Sequence, residues 1–382
     1  MATTGVVGQR WRADVTPVGT VVPWDGSAAV EWHVAADDRW HDTRTDTGIR
    51  HRRVDGVAVF ETKVRVPGGD AVQRVWSVAD HGGLTVVDIA NESPLPIAVA
   101  FTRPDLLTGR PPTEVPIQGI DLPPASIVVP VGHRASVTVA LAHRGPAGGQ
   151  LPDRTASAAA VARGWIARVD AASRLELGDP SAVEAVRAAR CELVLCGPAD
   201  AGDDPVQFLI GAAELVRMAE WDERDAVAVM PDVAAAVERA AVDPSPLAGA
   251  ALRAAGVVLA TAGEHRALAD LGRILGRRDG RAGAVPEGEG VAAIAAVEGR
   301  LSAGGRLFPE GIPPAWRGVD VEAHGLVVGP ASRLSLALRW HGVNVAALWE
   351  VTGDPVALTT DVTTEPWRTA APAGDALWVL RE

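Results

Sequence analysis

Apolar and polar residues alternate along residues 21–141, and short turn sequences interrupt the alternation. A period of two places one side of an extended chain in a core and the other side in solvent, which is typical of half-buried β-strands. The runs follow one another at about 8 to 12 residues with Gly, Pro and Asn between them, which favours an antiparallel β-sandwich over residues 1–143. The predicted strands lie in VEWHVAA, VAVFETKVRV, VQRVWSVAD, LTVVDIAN, PIAVAFTR, SIVVPV and ASVTVALA.

The pattern changes beyond a linker rich in Pro and Gly at residues 144–154. From residue 155 to residue 304, apolar positions recur every three to four residues in Ala-rich segments, which predicts an α-helical domain. Several segments begin with Asp-Pro or Ser-Pro, and proline suits the first helical turn because its missing N–H would be unpaired there. Seven candidate helices are SAAAVARGWIARVDAA, PSAVEAVRAARCELVLC, DPVQFLIGAAELVRMAEW, PDVAAAVERAA, PSPLAGAALRAAGVVLATA, EHRALADLGRILGRR and GVAAIAAVEGRL.

Strand-like alternation returns after GGRLFPEGIPPAWRG, which spans residues 304–318. We therefore predict a small C-terminal β domain over residues 305–382. The predicted fold class is multidomain α+β, in the order β-sandwich, helical domain, small β domain. The C-terminal strands are predicted in VDVEAHGLVV, SRLSLALRW, VNVAALWEV, VALTTDV and ALWVLRE.

The segment LRWHGVNVAALWEV gathers tryptophan, histidine and glutamate, which are residue types found in active sites. Its alternation predicts a hairpin turning at Gly342, with Leu336 opposite Trp349 on a core face. His341 then lies in the turn and Glu350 on the outer face. Because catalytic groups must converge within hydrogen-bond reach, the segment is expected to be structural.

The length and charge of the chain limit the number of domains and the kinds of molecule that it is expected to bind. A chain of 382 residues allows two or three domains. Its net charge of -12 argues against binding to nucleic acid or to an anionic membrane, which require concentrated basic surface. No secretory signal pattern and no apolar run of about 20 residues occur, so we expect a cytoplasmic protein.

Sequence motifs for common cofactors and nucleophiles are absent. The chain contains no Walker loop, dinucleotide-binding glycine motif, GxSxG or HExxH, so no cofactor is expected. Cys191 and Cys196 lie five residues apart on a predicted helix and point in different directions. We expect two buried, inert thiols rather than a disulfide or a redox pair.

Two segments resemble a known superfamily. Residues 307–351 resemble the C-terminal region of bacterial six-hairpin glycosidases, in which an LRWHG…ALLWE string recurs, and residues 83–103 are similar to their sandwich strands. The resemblance covers the two β parts. It implies a β-sandwich joined to an (α/α) toroid, as in the glucoamylase-like and maltose-phosphorylase-like glycoside hydrolases. With seven candidate helices, the helical domain would be a truncated toroid.

Glycoside hydrolysis requires two carboxylates flanking the scissile bond. The candidates are Glu310, near Trp316 in LFPEGIPPAW, and Glu287 and Glu289 in PEGEG. Trp316 is also a candidate stacking platform for a sugar. The alternative is that PEGEG is a solvated loop whose carboxylates favour the following helix N-terminus. The superfamily's catalytic residues lie in long loops, and neither can be carried over to a position of this chain.

Two polar loops of the predicted sandwich are candidates for ligand contacts. Asp38, Trp40 and His41 lie in WHVAADDRWHDTRTD, and Arg103 and Asp105 lie in FTRPDLLTGR. Solvated ion pairs are the alternative for both loops. Their spacing matches no short metal-binding motif, so no metal is expected.

The function predicted from these observations is a glycoside-hydrolase-like protein without an identifiable catalytic carboxylate pair, which binds carbohydrate or acts as a scaffold. The alternative is an active glycoside hydrolase acting on an α-glucan or a small glucoside. The sequence leaves the sugar and the oligomeric state open.

Overall fold

A computed structural model describes residues 2–113, 118–144, 148–278 and 285–381. The fold is mixed α+β, with eight helices and several mainly antiparallel sheets within these ranges. The chain divides into two compact units, residues 1–165 and 166–382, so most helices share a unit with the C-terminal strands. The domain boundaries predicted at 143, 154 and 304 stay predictions, and part of the predicted linker, residues 145–147, lies outside the described residues.

The described residues of the 1–165 unit form three sheets, with strand orders β1-β2-β3, β12-β10-β4-β5 and β14-β11-β13-β9-β8-β7-β6. Among these strands, neighbours are antiparallel except for the pair β11 and β14. The bounds are β1 (Ala2–Gly5), β2 (Arg12–Val15), β3 (Val21–Pro23), β4 (Trp32–Ala35), β5 (Trp40–Asp42), β6 (Arg50–Arg53), β7 (Val59–Val66), β8 (Gly69–Val78), β9 (Leu84–Asn91), β10 (Ile97–Phe101), β11 (Leu107–Thr108), β12 (Ile127–Val131), β13 (Ser136–Ala142) and β14 (Gly149–Gln150).

One buried apolar cluster joins the four-stranded and seven-stranded sheets of this unit. Trp32 and Phe101 enter it from the smaller sheet, and Phe60, Val75 and Ile89 enter it from the larger one. Alternate residues of each strand face the cluster, as the period of two requires. All seven strands predicted for this part of the sequence are confirmed as β4, β7, β8, β9, β10, β12 and β13.

Helices make up most of the first part of the 166–382 unit, and no helix within the described ranges is long and apolar enough to cross a bilayer. Aspartate or serine side chains cap α2, α3 and α6 just before a proline, as predicted. The bounds are α1 (Ala158–Val169), α2 (Pro180–Cys196), α3 (Pro205–Arg217), α4 (Glu223–Ala228), α5 (Met230–Val242), α6 (Pro246–Thr261), α7 (His265–Arg278) and α8 (Val291–Leu301).

The two cysteines lie on α2, and each is a thiol that takes part in no disulfide within the described residues. Cys191 is buried, as expected, whereas Cys196 is exposed. The expectation of two buried thiols is therefore wrong for Cys196, because it is the last residue of α2 and its side chain is open to solvent.

The C-terminal strands form sheets of order β15-β18-β19-β20-β23 and β16-β17-β21-β22, in which only the pair β17 and β21 is parallel among the described strands. The bounds are β15 (Arg174–Glu176), β16 (Ser302–Ala303), β17 (Arg306–Leu307), β18 (Val321–Gly329), β19 (Ser332–His341), β20 (Asn344–Thr352), β21 (Leu358–Thr360), β22 (Trp367–Thr369) and β23 (Ala373–Val379).

The predicted hairpin at Gly342 is confirmed as β19 and β20. Leu336 lies opposite Trp349, and both side chains are buried. His341 and Glu350 are exposed at the turn and on the outer face, respectively. Gly342 has a φ of 66°, a backbone conformation that side chains disfavour and tight hairpin turns require.

A buried ionic network joins α2, α3 and α8. Arg190 Nε lies 2.7 Å from Glu214 Oε2, and Arg190 Nη2 lies 2.8 Å from Glu298 Oε1. Arg217 pairs with both carboxylates, with 2.9 Å between its Nη2 and Glu298 Oε1. Burial raises the pKa of Glu298, but Arg217 and Arg190 outweigh burial and hold it below its ordinary value. The network therefore keeps Glu298 ionised in the interior.

Candidate functional site

A cavity of about 780 Å³ lies within the 166–382 unit, between α6, α7, α8 and the strands β17, β18 and β21. We call the apolar part of its lining the floor and the charged part the rim. The apolar lining includes Leu271, Leu275, Val285, Ala296, Val327, Val328 and Pro330. The charged lining consists of Arg253, Arg300, Arg306 and Glu310.

Two glycines of the cavity lining lie on helices. A Cβ added at Gly299 would meet only Val285, at 4.0 Å from Cγ2, so there is free space beside this position. A Cβ at Gly256 would lie 3.3 Å from Pro330 Cγ, so this glycine lets α6 pack closely against the proline. Gly299 is therefore the position at which an added side chain would enter the cavity.

Charged side chains reach the rim from different elements. Arg300, on α8, pairs with Glu287. Arg306, on β17, pairs with Asp361 at 2.9 Å. Glu310 follows β17 and is exposed. The lining therefore holds three arginines and one glutamate, and two of the arginines are paired with carboxylates beside the lining.

A smaller cavity of about 80 Å³ adjoins this one through Arg253, Gly299 and other shared residues, and reaches the buried ionic network at Glu214 and Glu298. Glycosidase chemistry requires one carboxyl group that stays protonated until it donates its proton. Since Arg217 and Arg190 lower the pKa of Glu298, this carboxylate is unsuited to that role. The glutamates of the network serve as structural anchors.

The fold places one of the three catalytic candidates from the sequence in the cavity lining. Glu310 lies at the rim of the 780 Å³ cavity. Glu287 is exposed and paired with Arg300, and Glu289 is exposed in the same loop. Within the described lining, Glu310 is the one carboxylate, whereas glycoside hydrolysis uses two. Trp316 is 1 % exposed, so its ring offers no face to a sugar.

Asp38, Trp40 and His41 lie together at the edge of the four-stranded sheet. His41 is buried between two carboxylates, with Nε2 at 3.2 Å from Asp38 Oδ1 and Nδ1 at 3.1 Å from Asp46 Oδ2. The half-buried Trp40 donates its indole N–H to the carbonyl of Gln118 at 2.8 Å. His41 is thus bonded to its two aspartates and Trp40 to the backbone. No cluster in the described part of the chain has the composition of a metal site.

Arg103 and Asp105 form a salt bridge with each other instead of pointing into solvent from an open loop. Arg103 is buried and donates from Nε to Asp105 Oδ1 at 2.7 Å. It also donates to the carbonyl of Ala28, on the chain leading to β4. Both side chains therefore fasten the end of β10 to its neighbouring loop.

Asp88, on β9, was not among the sequence candidates. Burial raises the pKa of Asp88, which accepts a hydrogen bond from Thr138 Oγ1 at 2.7 Å. It lies in a cross-strand row with Arg74 and Glu61 on the face opposite the apolar cluster. Glu61 already accepts bonds from Arg74 and Arg52, so the row resembles a structural ladder more than an acid–base pair.

Sequence reasoning missed the arginines of the cavity because no local pattern connects them. Arg253, Arg300 and Arg306 belong to three elements and meet only in the folded chain. Comparisons of the chain with protein-family models, with curated proteins and with solved structures found no match.

Proposed function

We propose that this chain is a non-catalytic binding protein and that its 166–382 unit holds a small organic molecule in the 780 Å³ cavity. The observation that carries the proposal is the cavity itself, which combines an apolar floor with a few convergent polar groups. Its volume falls within the range of about 300 to 1,000 Å³ that is usual for ligand pockets. The lone carboxylate of the described lining supports binding without hydrolysis.

The lining favours an apolar ligand body over a neutral sugar. Leucine, valine and proline side chains form the floor, and aromatic side chains are missing from the lining as far as it is described. Sugars usually stack on aromatic rings, whose large apolar faces match the sugar ring. We also propose, from the resemblance of residues 307–351, that the helices are a truncated (α/α) toroid that has lost its hydrolytic role.

Carbohydrate binding at the edge of the 1–165 unit is a second candidate. The half-buried ring of Trp40, beside the exposed Asp38, supports it. A glycan array would detect this binding, and Trp40→Ala would abolish it. Turnover of a chromogenic glucoside would instead support the active glycoside hydrolase.

The cavity can be tested with the neutral fluorophore N-phenyl-1-naphthylamine, whose emission rises in apolar surroundings. We expect saturable binding to the full chain with one site per chain. Replacement Gly299→Leu places a side chain in the empty space beside α8 and should weaken this binding at least about tenfold, because the leucine occupies ligand volume. Leucine also has the higher helix propensity, so the variant should remain as stable as the parent.

Gly164→Leu is the matched control, since Gly164 lies in helix α1, is exposed and likewise has free space for a side chain. It should leave the affinity for the fluorophore unchanged. Absence of saturable binding, or equal affinity in both variants, would refute the proposal. Thermal unfolding of the two variants checks that a loss of binding does not come from a loss of folding.

A further inference from the structure

We infer that the ligand of the 780 Å³ cavity is an amphipathic acid, with an apolar body on the floor and a carboxylate or phosphate held by Arg253, Arg300 and Arg306. This inference rests on the proposed function, because it names the class of ligand for that same cavity. Guanidinium groups bind carboxylate and phosphate through paired N–H donors, which suits both anions.

The three arginines converge on one cavity. The three arginines come from α6, α8 and β17, and they surround one cavity in a chain whose net charge is -12. Glu310 also lies in the lining, and the carboxylates of Glu287 and Asp361 pair with two of the arginines, so the cations and anions around the cavity balance. Three guanidinium groups on one cavity offer several N–H donors to a single ligand anion that replaces these carboxylates.

The guanidinium groups of Arg300 and Arg306 have N–H donors available for a ligand. The carboxylates that contact Arg300 and Arg306 are themselves exposed, with 83 % of the Glu287 side chain and 58 % of the Asp361 side chain accessible to solvent. Ion pairs of this kind contribute little to stability, so a ligand anion can displace them. Each guanidinium has five N–H donors, and one carboxylate leaves several for a ligand.

The buried arginines of the same unit provide the contrast. Arg190 is fully buried, and its donors go to Glu214, Glu298, Ser173 and a backbone carbonyl. An arginine held in this way is structural, because removing its partners would leave a buried charge. Arg300 and Arg306 lie at the rim of a cavity with exposed partners, which is the arrangement expected for ligand recognition.

A matched pair of fluorophores tests the charge alone. The compound 8-anilinonaphthalene-1-sulfonate is N-phenyl-1-naphthylamine with an added sulfonate, which stands in for the ligand's anion. We expect the full chain to bind this sulfonate compound at least about tenfold more tightly than it binds N-phenyl-1-naphthylamine, which is the gain expected for a charge-assisted hydrogen bond. Arg300→Gln and Arg306→Gln should each reduce the ratio of the two affinities about threefold or more.

Arg224→Gln is the control for the loss of one positive charge, because Arg224 is exposed on α4 and does not line the cavity. It should leave the ratio unchanged. Glu310→Gln should raise the affinity for the sulfonate, since it removes the negative charge from the rim, and should leave the affinity for the neutral fluorophore unchanged.

Displacement of the bound sulfonate identifies the anion. Octanoate and octyl phosphate should displace it better than octanamide, which has the same chain and no charge. Displacement by octanoate alone assigns a carboxylate ligand, and displacement by octyl phosphate alone assigns a phosphate. Equal displacement by octanamide and both acids would overturn the inference.

The outcomes separate the inference from the proposed function. One possible result is that the neutral fluorophore binds, that Gly299→Leu blocks it, and that the sulfonate compound binds no more tightly than the neutral one. In that case the cavity binds a ligand, but the assignment of an acid is wrong. A higher affinity for the sulfonate that survives both arginine substitutions would also overturn the assignment. If neither fluorophore binds, the proposed function itself fails.

Discussion

His143, in the 1–165 unit, shows how burial overrides the ordinary titration of a side chain. Its ring stacks on Trp11, with centroids 3.8 Å apart, and its Nε2 lies 2.9 Å from the hydroxyl oxygen of Thr85. Ser77 and Thr4 continue this chain of hydroxyl groups towards β1. Burial, with a smaller contribution from Arg12, lowers the pKa of His143 to about 4.

The titration of His143 predicts a loss of stability in mild acid. The folded pKa lies below the unfolded value of 6.5, so the unfolded chain binds more protons, and stability is lost as the pH falls from about 6.5 towards 4. We expect the parent to lose about 2 kcal/mol more than His143→Gln between pH 7 and pH 4.5. Urea unfolding of both proteins at each pH measures the difference, and equal losses would contradict the prediction.

The comparison of the parent with His143→Gln isolates the contribution of His143 to the pH dependence of stability. Burial also lowers the pKa of His33 and His51, and these residues titrate in both proteins. Their contributions therefore cancel in the difference.

At the scale of elements, the period of the apolar pattern was the reliable signal. It predicted all seven helical segments and the strands of the C-terminal hairpin, because each is long enough to show its period. It missed α4, with six residues, and the strands β1 to β3, with three or four residues each. Elements this short offer too few positions to distinguish one period from another.

The buried ionic network could not be predicted because charged residues on a helix usually face solvent. Here Arg190, Glu214, Arg217 and Glu298 point inward and meet across three helices. Apart from Arg217 and Glu214, which lie three residues apart on α3, the partners are distant in sequence, so a helical pattern alone marks them as surface residues. Only the packing of α2, α3 and α8 shows that they pair.

This network predicts a large effect for one substitution. Arg217→Met should destabilise the protein by about 3 to 5 kcal/mol, because it leaves Glu214 and Glu298 buried with fewer partners. Arg168→Met is the control, since Arg168 pairs with Glu220 at the surface and its loss should cost less than about 1 kcal/mol. Urea unfolding monitored by circular dichroism measures both, and similar losses would show that the network contributes little.

At the scale of the whole molecule, the sequence and the fold point to different features. The resemblance to glycosidases favoured a search for two carboxylates, whereas the cavity is defined by arginines, glycines and apolar residues from position 253 to position 359. Of the sequence candidates, Glu310 alone lines it. An empty space between elements leaves no pattern in the sequence, so a cavity of this kind can be found only after the chain has folded.

The central claim is that the 166–382 unit binds an amphipathic acid in this cavity. The most direct test is a crystal structure of the full chain with 8-anilinonaphthalene-1-sulfonate bound. We predict that the ring system lies against Leu271 and Leu275 and that the sulfonate accepts hydrogen bonds from Arg300 or Arg306. A fluorophore bound only outside the cavity, or bound inside it with the sulfonate turned away from all three arginines, would contradict the claim.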